Sequence, residues 1–97
     1  MDNRLYLIDL YDYYGELLTK KQQDYFEDYY FNNLTLLEIS ENYSVSRNAI
    51  HKQIKEAEEK LKKYEQCLEF YKKNKRIKEL INLIDDSKIK KQILDLL

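Results

Sequence analysis

Proline is absent from this sequence of 97 residues, and glycine occurs once, at Gly15. Folds rich in sheets or loops need those residues at their turns, so their scarcity, with 36% charged residues, points to an all-α chain. A single cysteine, Cys67, excludes an intramolecular disulfide, and one histidine with one cysteine cannot supply the three or four ligands of a zinc site. His51 and Cys67 stand sixteen residues apart on one predicted helix, roughly 24 Å at 1.5 Å per residue, which rules out a nucleophile and base pair within the chain. Glycine-rich phosphate loops are excluded with only Gly15 available. No long apolar run exists, because Asp9 and Asp12 interrupt the N-terminal one, so a membrane span is not expected and a cytoplasmic location is. An enzyme, a metal and an organic cofactor are likewise not expected.

Charge is present in abundance but unevenly distributed. Residues 1–45 hold nine acids against three bases, a net of −6, whereas residues 46–97 hold fourteen bases against nine acids, a net of +5. The whole chain sits near neutrality, with a pI near 5.9, well short of the strongly basic balance usual in nucleic-acid binders. The ten tyrosines fall mostly at helical spacings and read as half-buried core.

The spacing of apolar residues predicts a helix from Asn3 to about Leu18, with Leu7, Leu10, Tyr14 and Leu17 on one side and Asp9, Asp12 and Glu16 on another. Gly15 marks either a close helix crossing or a frayed last turn. Thr19 with Gln22, and again Thr35 with Glu38, form capping-box patterns that open two further helices, the first running to about Phe31 and the second ending near Asn42. In the short second helix Leu36 or Leu37, Ile39 and Ser40 face inward. Ser46 then caps a long helix carrying Ile50, Ile54, Ala57, Leu61, Tyr64, Leu68 and Tyr71, a heptad seam. The seam's phase is lost near Asn74, where a bend or break is expected. Ile77, Leu80 or Ile81, and Ile84 follow in a new phase. Asp85, Asp86 and Ser87 cap a last helix with Ile89, Ile93, Leu96 and Leu97 as its apolar face. Cys67 reads as a partly buried residue beside the seam.

A short capped helix, a three-residue turn and a second helix entered through a serine make the plan of a helix-turn-helix. The stretch from Leu18 to Ile54 resembles the DNA-reading C-terminal region of bacterial sigma factors, whose pattern runs T-x-x-Q, an aromatic helix, L-x-E-I-A and V-S-R. Thr19, Gln22, Tyr30, Leu36, Glu38, Ile39, Val45, Ser46 and Arg47 match it, with Ser40 in place of the usual alanine. With a helix before this unit and a long charged helix after it, the chain resembles the YlxM family, small bacterial helix-turn-helix proteins whose genes sit beside those of the signal recognition particle. The resemblance implies one domain over residues 1–97 without a wing, with a helix-turn-helix core at 19–63 and a helical extension at 64–97.

The residues themselves agree with such a reading. Val45, Ala49, Ile50 and Ile54 are expected to point inward, leaving Arg47, Asn48, His51, Lys52 and Lys55 outward beside the cap Ser46. Arginine can bond guanine bidentately, asparagine can do so with adenine, and the lysines suit phosphates. The backbone amides of Thr35 and Ser46 are further phosphate donors. Duplex DNA is therefore the expected partner, with a protein or RNA component of the signal recognition particle as the alternative. Leu61, Tyr64, Leu68 and Tyr71 extend beyond what a three-helix unit covers; either the N-terminal helix of the same chain or the same helix of a second copy can cover them, and the expectation is a mixture, with the N-terminal helix and the C-terminal segment covering part and a second copy closing the rest as a homodimer interface.

Overall fold

The computed structural model describes residues 3–97 and is all-α, with no strand among the described residues. Helix α1 spans Asn3–Tyr14 and tightens into a 3₁₀ turn at Gly15–Leu17; α2 spans Lys20–Tyr30, α3 Leu36–Tyr43, α4 Arg47–Leu68, α5 Phe70–Ile81 and α6 Ser87–Leu94. Helix α4 is the central member, packed against α1, α2 and α3. Its seam residues Ile50, Ile54, Ala57 and Leu61 are buried against Leu7, Leu10, Tyr14, Phe26 and Ile39. The remaining two helices form an arm in which α6 packs on α5. The molecule measures 55 × 26 × 25 Å with a radius of gyration of 17.0 Å, against roughly 12.5 Å for a compact chain of this length.

Both capping boxes are complete. The Thr19 hydroxyl accepts from the Gln22 amide and the Gln22 side chain accepts from the Thr19 amide; Thr35 and Glu38 repeat the exchange. Asp86 caps α6 by accepting from the amides of Lys88 and Ile89. Among the described residues, Asn33, Ser44 and Glu69 have left-handed backbones, and each sits where one helix ends before the next begins.

Four expectations are corrected. The long helix breaks at Glu69, not near Asn74, so Tyr71 belongs to α5. Glu65 explains where the break falls: its buried carboxylate accepts from the Tyr71 and Lys72 amides at 3.1 Å each and so caps α5 from the end of α4. Leu17 is exposed and Leu18 buried in its place, because the 3₁₀ turn changes the residue phase after Tyr14. Cys67 is exposed. Leu61 is fully buried inside the chain, so it offers no surface to a second copy; Tyr64 and Tyr71 are half-buried and Leu68 is exposed.

The aromatic side chains lock α1 onto its neighbours. The Tyr11 ring stacks on Phe26 at 4.5 Å between centroids and its hydroxyl donates to Glu27. It lies across Gly15 so closely that a Cβ there would meet the ring at 2.9 Å. Held on its far side, the ring cannot easily retreat. Gly15→Ala should therefore cost about 1–3 kcal/mol of stability despite alanine's better helix propensity, read as a lower denaturant midpoint with unchanged slope. An alanine variant as stable as the parent would show the ring free to move.

Tyr14 links three elements. Its hydroxyl donates to Glu65 at 2.6 Å and accepts from the Phe70 amide at 3.0 Å. Burial, then the bond to Glu65, pushes its hydroxyl up to about 12, and burial with carboxylate partners also raises Tyr11 and Tyr30. A free tyrosine ionises near pH ~10, so the unfolded chain releases these protons first as pH rises. The stability they contribute is complete below that pH and is lost on the alkaline side, for Tyr14 between about pH 10 and 12. Denaturant midpoints should fall steeply over that interval. The fall should be shallower in Tyr14→Phe, which starts from a lower midpoint at pH 8; an equal fall would mean that Tyr14 ionises as it does in the unfolded chain.

Candidate nucleic-acid interface

The turn between α3 and α4 is built by local hydrogen bonds. The Ser44 amide bonds back to Glu41 at 3.4 Å and the Val45 amide to Ser40 at 3.1 Å, closing the end of α3 around the left-handed Ser44. Ser40, in the position where the motif usually has alanine, is buried, and its hydroxyl donates to the Leu37 carbonyl at 2.7 Å, so its polarity is satisfied. Ser46 then starts α4, its hydroxyl accepting from the Ala49 amide at 3.0 Å.

Ile50 and Ile54 anchor this end of α4 in the core. At 100° per residue, Arg47, Asn48, His51, Lys52 and Lys55 then share one arc of about 140° on the solvent side, and all five are exposed. Two residues depart from the expected inward set. Val45 is 38% exposed, because it lies in the turn, where helical spacing does not set its direction. Ala49 is also exposed, about 100° around the helix from Ile50.

Arg47, Asn48 and His51 line a shallow groove with Tyr29, Thr35, Leu36 and Leu37. A second depression continues it through His51, Leu36 and Tyr30 to Lys55 and Glu58. Reading the sequence left open which of Leu36 and Leu37 faced inward; Leu36 is half-buried and Leu37 is exposed at the groove. Tyr29 was missed, and its signal was its place one residue before the buried Tyr30, at the end of α2 nearest the turn. The Thr35 amide is not available to a phosphate, since it donates to the Glu38 carboxylate at 3.0 Å. That bond, with the Thr35 hydroxyl, holds the Glu38 carboxyl below the usual carboxylate range.

Electrostatically the face is open. The ion pairs among the described residues are Lys20 with Asp24 and Arg76 with Glu79, so Arg47, Lys52 and Lys55 have no acidic partner. Glu58, which lines the second depression with Lys55, accepts from the Tyr30 hydroxyl. Glu56 and Glu59 confine the basic surface to the first turns of α4. No group of three or more His, Cys, Asp or Glu side chains comes together among the described residues, and none of their helices is long and apolar enough to cross a membrane.

The Ser46 cap fixes the start of the helix that presents Arg47 and Asn48. Ser46→Ala should lower stability by about 1 kcal/mol and fray the first turn, visible as faster exchange of the Ala49 and Ile50 amides, which donate to the Ser46 hydroxyl and carbonyl, with little change at Leu61. Unchanged exchange in that turn would show that the packing of Ile50 alone sets it.

A family model described as "Putative helix-turn-helix protein, YlxM / p13 like" matches residues 1–96. A UPF0122 protein of Ureaplasma urealyticum is 44% identical over 95 residues, covering 98% of this chain and 96% of the relative. UPF0122 proteins of Malacoplasma penetrans, 46% identical over 87 residues, and Listeria monocytogenes, 43% identical over 93, cover 89% and 96% of this chain and 80% and 83% of their own lengths.

Proposed function

The chain belongs to the YlxM/p13-like helix-turn-helix family, and from that premise we propose that it is a DNA-binding regulatory protein that reads the major groove with the first turns of α4. The observation that carries this reading is the open face itself: Arg47, Asn48, His51, Lys52 and Lys55 exposed together, their cations unpaired, at the entry of a helix whose other side is fixed in the core. Arg47 and Asn48 are suited to base edges, Lys52 and Lys55 to the phosphates that set register. The connection with the signal-recognition-particle pathway rests on the family resemblance and its gene neighbourhood.

One observation favours a second reading. Residues 1–45 carry a net charge of −6 on a chain with a pI near 5.9, which weakens the long-range attraction of any duplex. An adaptor that binds a protein or RNA component of the particle, without sequence-specific DNA binding, fits that balance. Gel shifts with duplex DNA and with particle RNA across a salt series separate the two.

For the DNA reading, Arg47→Ala should cost about 1–3 kcal/mol of specific binding, while Lys55→Ala should weaken all sequences alike and lower the salt slope by about 1. A folded Arg47→Ala/Lys52→Ala variant that binds duplex as the parent does would remove the groove-reading model.

A further inference from the structure

The two depressions beside the entry of α4 share Tyr29, Leu36 and His51, so they form one channel. Arg47 and Leu37 line one part of it and Lys55 the other. Of the lining residues Glu58 is the one acid, and it already accepts from the Tyr30 hydroxyl. Leucine, tyrosine and unopposed base together suit an occupant that is apolar along its length and anionic at intervals.

Tyr29 brings to this channel a donor that the fold does not use. The hydroxyls of Tyr11, Tyr14 and Tyr30 each donate to a carboxylate. That of Tyr29 bonds no group among the described residues and is not buried. The side chain is nonetheless held in place. Arg4 donates to the Tyr29 and Tyr30 carbonyls at 3.4 and 2.6 Å, closing the end of α2, and the Tyr29 ring meets that of Tyr30 edge-on at 5.1 Å between centroids.

Helical geometry says which part of a duplex passes there. About the α4 axis Arg47 and His51 stand about 40° apart and Lys52 about 140° from Arg47, so the channel follows one flank of the exposed arc. A major groove about 12 Å wide closes on a helix about 10 Å across, which leaves a sugar-phosphate strand against each flank of an inserted α4. On the flank of Arg47 and His51 that strand meets the end of α2 and the start of α3. Resting on the DNA reading above, we propose that the channel seats this strand, with the Tyr29 hydroxyl donating to a phosphate oxygen and Leu36 and Leu37 against the deoxyribose. Helix α2 thereby becomes part of the interface.

Phosphates carry no base identity, so a mixed-sequence duplex is the probe, titrated by fluorescence anisotropy across a salt series. Tyr29→Phe should weaken binding roughly ten-fold, the scale of a hydrogen bond to a charged group. Its salt slope should match the parent's, because a neutral donor displaces no counterion, and so should its denaturant midpoint, because no protein group loses a bond. Leu37→Lys should tighten binding and steepen the salt slope by about 1, whereas Leu37→Glu should weaken binding, most at low salt. Arg47→Ala/Lys52→Ala, measured alongside, tests the DNA reading itself. If that variant loses affinity while Tyr29→Phe or Leu37→Glu binds as the parent does, the strand lies elsewhere and the DNA reading stands. A parent that does not bind the duplex overturns both.

Discussion

A single buried carboxylate joins the parts of this molecule. Glu65, near the end of α4, accepts from the Tyr14 hydroxyl at the end of α1 and from two amides that open α5. Removing a carboxylate from water is costly, and three donors around it offset that cost. They do so only if α1, α4 and α5 hold one arrangement. The Phe70 amide, bonded to the same tyrosine, completes the start of α5. The site at the other end of α4 therefore rests on a frame whose far corner is fixed by hydrogen bonds, with Leu7, Leu10, Phe26, Ile39 and Leu61 filling the space between.

The elements that were legible in the sequence are those with a local chemical signature. Both capping boxes name their own first residues, and Asp86 does the same for α6. Ile50, Ile54 and Ala57 were legible because a heptad seam has one geometrical meaning, but the same pattern does not say whether its continuation at Leu61 is covered by α1 or by a second copy. The end of α4 was not, for Glu69 carries no breaker signal and its left-handed backbone is adopted by few residues other than glycine, asparagine and aspartate. What stops the helix there is a carboxylate four residues earlier turning to serve the next helix. That choice is tertiary, since it also needs Tyr14, fifty-one positions away. Leu17 failed for a related reason: periodicity assumes 3.6 residues per turn, and the chain tightens just where Tyr11 lies across Gly15.

At the candidate interface, residue type and spacing gave the outward arc of α4, but they did not foretell which neighbours compete for it. The Thr35 amide looks like a phosphate donor until its own Glu38 is seen to occupy it. Glu58, which in the sequence belongs with the acids that limit the basic surface, is held by the Tyr30 hydroxyl. Competition of this kind depends on side chains from α2 and α3, so it emerges only when the helices are packed.

The left-handed residue between α4 and α5 bears on how the arm behaves. Glycine at that position would leave the backbone several wells of similar energy, and the arm would swing on it. Glutamate has a narrow left-handed well bounded by steep sterics, and the amides on either side of it are bonded to Glu65 and Tyr14. The elbow is consequently a bracket, not a swivel. A chain with a swivel there could fold α6 back and hide its leucines against its own body; this one is obliged to hold them out in water, at a set angle.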